Sequence, residues 1–449
     1  MSLGSKGTPG TRQLTRQKNR HMWNAQMVKS TKSRSTASKK TKNFSNQRNL
    51  LSLDAGESVS SMEPMRLGES SRWRGEISEL AVDLTYKAAE FKASLPKGIQ
   101  AALSDLVRNM NCYYSNLIEG HSTHPIAIEK ALNEVYDADP KKRNLQLEAK
   151  AHIAVQRWID EGNLPAEPTS EASIREIHRR FVECLPEELR WAEFPDTGKK
   201  LSVIPGEYRD DPVKVGNHIP INAGAIPRFM HRFEEAYARM GRAETIIACA
   251  AAHHRFAWIH PFLDGNGRVV RLISHAMLLK ALDTGGVWSI SRGLARNVDR
   301  YKALLAECDL PRRNSFDGRG NLSEEALVSF TKFFLEICID QVDFMKELMQ
   351  PDRLRARVLT WAEEEARLGS FGKASVLIME AILFRGELPR ADIAGLIQSS
   401  ERTASRIASQ LNAFGVLTSS SSRAPLRLAL PATLAHRWFP GLYPVTPPT

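Results

Sequence analysis

The chain has 449 residues, 42% hydrophobic and 25% charged, a balance that fits two or three globular domains and excludes a coiled-coil, collagen-like or wholly disordered protein. No apolar run approaches the roughly 18–20 residues needed to span a bilayer, and no N-terminal apolar segment reads as a secretory leader, so a cytoplasmic location is expected. The formal charge of +11 belongs to one end: residues 1–50 hold 12 of the 62 Lys/Arg and none of the 51 Asp/Glu, which leaves a nearly neutral body that does not read as a nucleic-acid binder as a whole.

Residues 1–70 are rich in Ser, Thr, Lys, Asn and Gln without apolar periodicity, and a basic disordered tail is expected there. A helical pattern runs from Ser71 to Lys97 and is broken at Pro96-Lys97-Gly98. A second covers Ile99 to Ile118 and ends at Glu119-Gly120, with Gly120 suited to a C-terminal cap. Further helical segments read over Pro125–Tyr136, Asn144–Glu161 and Ser170–Cys184, the last carrying His178 as a structural histidine. Between Phe194 and Ile221 the texture changes. Leu201, Val203, Val213 and Val215 flank Gly206-Glu207-Tyr208-Arg209-Asp210, which predicts a β-hairpin. Helices are expected again over Pro227–Ala238 and Ala243–Ile259. The five cysteines, at 112, 184, 249, 308 and 338, are scattered and form no CxxC pair, so no disulfide framework or zinc site is expected.

The next stretch is His260-Pro261-Phe262-Leu263-Asp264-Gly265-Asn266-Gly267-Arg268-Val269-Val270-Arg271, set between two apolar helical segments. No packing demand explains a base, a carboxylate, two glycines, an amide and two arginines in twelve residues. The second helix is expected to start within Gly265–Arg268. Its free N–H groups and partial positive charge make an anion site, and glycine lets the backbone approach a ligand closely. His260 is the natural general base, since its ordinary pKa is near neutrality. Asp264 is suited to Mg²⁺ held jointly by a carboxylate and phosphate oxygens. Gly265, Asn266 and Gly267 offer donors to phosphate, and Arg268 and Arg271, three apart, form a clamp. No GxxxxGK[ST] exists, so a P-loop is excluded. An EF-hand is excluded too, because Arg268 and His275 would stand at ligand positions.

A helix with Asn297, Tyr301 and Leu304, a polar loop over Pro311–Leu322, and a helix over Ser323–Met349 complete this part. Residues 353–449 read as a separate domain: helices over Val376–Leu383, Arg390–Ile397 and Glu401–Phe414, then a hairpin of Val416-Leu417-Thr418 and Leu426-Arg427-Leu428, the order of a winged helix-turn-helix. Arg402, Arg406 and Arg423 make DNA a candidate partner, but so few cations suit a protein-docking or dimerising surface at least as well.

The twelve-residue stretch resembles the signature of Fic-domain proteins, His-Pro-Phe-x-Asp/Glu-Gly-Asn-Gly-Arg-x-x-Arg, at every specified position. Ser115-Asn116-Leu117-Ile118-Glu119-Gly120 is similar to the inhibitory pattern Ser/Thr-x-x-x-Glu-Gly/Asn found in many of them. The resemblance implies a mainly α fold: an N-terminal helical region over 71–165 with an inhibitory helix at about 99–120, a Fic core with a β-hairpin flap over 166–350, and the winged domain after it. It implies transfer of AMP from ATP to a Ser, Thr or Tyr hydroxyl of a protein, with Mg²⁺ on Asp264, His260 as base, and Gly265, Asn266, Gly267, Arg268 and Arg271 on the phosphates. Asn297 and Tyr301 are placed on the adenine side, and Ser115 and Glu119 in the inhibitory element. Some members with such a glutamate also remove AMP. A DNA-binding regulator that uses the winged domain is the rival from another class.

Overall fold

The computed structural model describes residues 54–194 and 198–444, so the tail expected at the N-terminus lies outside the described residues up to residue 53. Packed structure begins well before residue 70. A 3-10 turn at Val59–Met62 leads into buried Met62, Met65 and Leu67. This strap is held by polar bonds to the body: the fully buried Arg255 donates to Pro64 O at 2.9 Å, and the Tyr237 hydroxyl donates to Met65 O. Its three apolar anchors follow no helical or strand period, which is why the sequence shows no element there.

The body is built around two helices, α7 (Arg242–Ile259) and α8 (Asn266–Leu282), which pack on each other and are buried on nearly every face. Apolar residues fall on every side of both, as an internal helix requires, and the polar residues buried with them, among them His253, Arg255, Arg268 and Arg271, are hydrogen-bonded. Around them, in chain order, stand α1 (Arg74–Ser94), α2 (Lys97–Ile118), α3 (Pro125–Leu132), α4 (Pro140–Asp160), α5 (Glu171–Glu183), α6 (Ile226–Tyr237), α9 (Ser291–Arg296), α10 (Val298–Glu307) and α11 (Glu324–Leu348). Helix α1 lies against α7 and α11, while α4 and α5 cover α8. The caps follow the chemistry of the chain. Ser170, Asp139 and Ser323 accept backbone N–H groups at the starts of α5, α4 and α11. No described helix is long and apolar enough to cross a membrane.

The hairpin falls earlier than expected. Strand β1 (Trp191–Phe194) pairs antiparallel with β2 (Lys199–Ser202), with Trp191 opposite Ser202. Residues 203–221 are irregular apart from a bridge between Val215 and His218. Pro205, Pro212 and Pro220 deny this stretch a ladder, and Val203, Val213 and Val215 are buried as single anchors instead.

The C-terminal segment opens with α12 (Pro351–Leu368), which sequence periodicity did not single out. Then follow α13 (Ala374–Arg385), β3 (Glu387–Leu388), α14 (Asp392–Leu396), α15 (Glu401–Ala413), β4 (Leu417–Thr418), β5 (Leu426–Leu428) and the short α16 (Ala435–Trp438). The strand order is β3-β5-β4, all antiparallel. Trp361, Phe371, Phe414 and Trp438 form its aromatic centre. The segment is not set apart from the rest. It touches α2 at both ends: Gly98 meets the backbone of Gly386, and the Tyr114 hydroxyl donates to Leu442 O at 2.8 Å while Tyr113 and Tyr114 pack on Tyr443.

A Cβ at Gly98 would overlap the Gly386 backbone, whereas one at Gly75 in α1 meets nothing within 4 Å. Gly98→Ala is therefore expected to destabilise the protein by about 1–3 kcal/mol through overpacking, read as a lower urea midpoint, and Gly75→Ala to stay within about 0.5 kcal/mol.

Candidate active site

Helix α7 ends at His260, whose N–H donates to Phe256 O at 3.0 Å and whose backbone is left-handed, with φ 50° and ψ 60°. Residues 261–265 form the loop and α8 starts at Asn266, after Gly265 with φ 82°. The buried Phe262 ring anchors the loop by stacking on the His178 ring at 3.8 Å between centroids. His178 also accepts Gly206 N–H at Nδ1 (2.9 Å) and donates from Nε2 to Asp264 O (3.3 Å). It is structural, as expected, and what it supports is the motif loop.

His260, Asp264, Gly265, Asn266, Gly267, Arg268, Arg271, Glu119 and Tyr301 line one cavity, together with Lys302, Leu305, Ile118, Ala257 and Val270. Its volume of about 80 Å³ is well under the ~300–1,000 Å³ usual for small-molecule sites. Glu119 and Arg271 meet in its lining. Arg271 Nη2 donates to Glu119 Oε1 at 2.6 Å and to Ser115 O at 3.2 Å, and its Nε donates to Ser115 Oγ at 2.8 Å. Glu119 Oε1 lies where a Cβ on Gly267 would be, directly over the first turn of α8. A carboxylate therefore occupies the electropositive end of the helix that an external anion would seek. Burial works to raise the Glu119 carboxyl, but the charges of Arg271 and Arg268 and the Arg271 hydrogen bond outweigh it and hold the group below the usual range.

Glu119 is presented by the end of α2. His121 N–H donates to Asn116 O (2.9 Å) and Gly120 N–H to Leu117 O (3.0 Å), and Gly120 has φ 84°. This paired closure is a Schellman cap, and it needs a left-handed residue one place after Glu119. Gly120 thus sets both where α2 stops and where the carboxylate points.

Sequence reasoning missed the surroundings of Arg268. Its Nη2 donates to Glu148 Oε2 at 2.6 Å, and His121 Nδ1 lies 3.0 Å from both groups. Burial opposes ionisation of Glu148, but Arg268 and His121 keep its carboxyl low. Glu148 stands on α4 and His121 after α2, so no local signal joins them to Arg268.

Asn266 lines the cavity, and its side-chain amide also braces the loop: its Oδ1 accepts Phe262 N–H (3.0 Å) and its Nδ2 donates to Phe262 O (2.7 Å). Asn297 lies outside the cavity lining. It stands at the junction of α9 and α10, at φ −119° and ψ 34°, where its C=O accepts Tyr301 N–H (2.9 Å) and its amide caps Gly293 O at 2.9 Å. Tyr301 does line the cavity, with its hydroxyl 2.7 Å from His253 Nε2, and His253 Nδ1 lies 2.8 Å from Ser274 Oγ.

The titrating groups differ in sign. Burial pushes the His260 pKa down to about 3, with help from the charges of Arg209 and His218, so the ring is neutral at physiological pH. Desolvation raises the Asp264 carboxyl, despite Arg268 and the Gly265 N–H that its Oδ1 accepts at 2.7 Å.

Residues 168–278 match the Fic/DOC family. The protein adenylyltransferase Fic of Drosophila erecta is 38% identical over 171 residues and that of Drosophila melanogaster 39% over 172, covering 38% of this chain and 32% of each relative. The chain thus spans about a third of the length of the curated relatives it matches. Among solved structures, a Fic family protein from Desulfovibrio desulfuricans G20 aligns at a TM-score of 0.44 and 16% identity, over 78% of this chain and 95% of that one.

The pH dependence of stability follows from the buried rings. Burial lowers the fully buried His178 and His254 to about 4 and His253 to about 3, from an ordinary 6.5. Such depressed groups contribute stability that is fully present above about pH 6.5 and is lost as the pH falls toward the folded-state values, by up to about 1.4 kcal/mol per pH unit for each group. The urea midpoint is expected to be clearly lower at pH 5 than at pH 7.5, and equal midpoints would contradict neutral buried rings.

Proposed function

We propose that the chain is an autoinhibited protein adenylyltransferase that moves AMP from ATP to a Ser, Thr or Tyr hydroxyl of a target protein. The carrying observation is that one cavity joins a neutral His260, the first turn of α8 and two arginines, with the carboxylate of Glu119 lying over Gly267. The activity is the one named for the Drosophila relatives.

In this reading the N–H groups at the start of α8 and the Arg268 and Arg271 guanidiniums bind the triphosphate. Their donors are fixed in place before charge develops, which is where most of the barrier reduction arises. His260 takes the proton of the target hydroxyl. The hydroxyl oxygen forms a bond to the α-phosphorus, the α–β anhydride bond breaks, and pyrophosphate leaves. Asp264 would hold Mg²⁺. It is an exposed carboxylate on the cavity lining, within the loop that leads into the first turn of α8, and a lone carboxylate beside phosphates is the usual magnesium donor set. When bound, the ion supplies charge neutralisation on the phosphate oxygens. Tyr301, Lys302 and Leu305 stand on α10 at the far wall of the cavity, where the nucleoside would lie.

Glu119 inhibits by occupation. It takes Arg271 from the γ-phosphate and places negative charge at the helix end. The same carboxylate shares a cavity with His260 and Asp264, which favours a second reading in which Glu119 directs water at an AMP-modified target. Incubation with such a target separates the two directions.

Glu119→Gly is expected to raise self-modification with labelled ATP by at least about tenfold, since a charged hydrogen bond contributes about 1.5–3 kcal/mol. Equal labelling of the two proteins would remove the inhibitory role. In that background His260→Ala should lower transfer by about 10²–10⁴-fold while ATP still binds, and retained transfer would remove His260 as the base.

A further inference from the structure

We infer that Arg209 is a positioning residue for His260, an assignment that rests on the reading of His260 as the base. His260 is not a glycine, yet its backbone sits at φ 50°, a left-handed conformation that costs about 1–2 kcal/mol and persists only where neighbours impose it. Arg209 supplies that imposition. Its Nε donates to His260 O at 2.8 Å, its Nη2 reaches Ile259 O at 3.5 Å, and its own backbone N–H donates to Pro261 O at 2.9 Å. Three consecutive carbonyls, one on each side of His260 and its own, thus accept from one residue.

The same guanidinium donates to Ile221 O at 2.7 Å and Asp211 O at 3.2 Å, so it ties residues 203–221 to the loop. Arg209 is buried at 4% exposure, and among the described residues no carboxylate forms an ion pair with it. Its charge is spent on the carbonyl end of α7, where the helix dipole is negative. The acid whose charge acts on it is Glu57 of the N-terminal strap, whose Oε1 accepts Asn222 N–H at 2.9 Å, beside Ile221. The path from strap to reacting ring is therefore Glu57, Asn222, Ile221, Arg209, His260. Every side-chain partner of this buried arginine is a backbone carbonyl, two of them at the left-handed histidine and its neighbour and two in the segment that packs on the loop.

The test uses the full chain in the Glu119→Gly background, with labelled ATP and self-modification as the readout. Arg209→Gln is expected to lower kcat by about 10²-fold, the effect of misplacing a reacting group by about 1 Å, while the KM for ATP stays within about twofold. Arg209→Lys, which keeps the charge and some donors, should recover about tenfold of that loss. A kcat within about twofold of the parent for Arg209→Gln would overturn the inference. So would a KM for ATP that rises in step with the loss of kcat without rescue by lysine, which marks a general structural role. If Arg209→Gln does not fold, Arg209→Lys decides alone: lower kcat at constant KM supports the assignment, and unchanged kcat overturns it. His260→Ala in the same assay separates the two levels. Transfer that survives His260→Ala sinks the base assignment and this inference with it, whereas a dead His260→Ala beside a normal Arg209→Gln sinks the positioning role alone.

Discussion

The structure turns on a carboxylate placed at the start of a helix. Helix α8 begins in the middle of the molecule with its first N–H groups and two arginines facing a cavity, an arrangement that leaves concentrated positive character in a low-dielectric place. Something anionic must stand there. Glu119 does, 2.6 Å from Arg271 and against Gly267, so the chain satisfies its own anion site. Much else is arranged around that pair. Gly120 ends α2 so that Glu119 projects inward, Ser115 holds the remaining face of Arg271, and a side chain at Gly267 would meet the carboxylate.

The same logic accounts for the second arginine. Arg268 has its own carboxylate, Glu148, and a histidine that touches both. Burying a guanidinium without a partner costs several kcal/mol, so two arginines in one cavity need two acids as long as no phosphate is present. The N-terminal region supplies both, from different elements. It is thus part of the electrostatic completion of the core as well as a cover over it.

What was legible in the sequence was what is local. The twelve-residue stretch, the cap at Gly120 and the glutamate before it are each contained within one turn and its neighbours, and their chemistry shows in residue type and spacing. The helices of the core were legible from apolar periodicity to within a few residues. What was not legible depends on partners far apart in the chain. Arg209 looked like one more polar residue of a turn because the carbonyls it holds lie 50 residues on, and Glu148 drew no notice because its partners Arg268 and His121 stand on other elements. The strap at 54–67 carries no period because polar bonds to the core hold it, with no repeating face of its own. The hairpin was misplaced because alternating valines were read as strand, although three prolines forbid the ladder. Asn297 was placed by resemblance alone, and its amide caps Gly293 O outside the cavity lining.

The two ends of α2 are fastened to the C-terminal segment, by the close passage of Gly98 and Gly386 at one end and by Tyr113, Tyr114, Tyr443 and the Leu442 carbonyl at the other. A rod pinned at both ends neither slides nor tilts. Vacating the helix end then falls to the Glu119 side chain, which swings about its own torsions while the backbone that carries it stays put. The time needed is that of a side-chain rotation and an exchange of ion partners, far shorter than the microseconds to milliseconds that moving a domain takes. Occupancy of the cavity would accordingly follow the local concentration of competing anions almost without lag, as a fast exchange rather than a gate that opens and shuts.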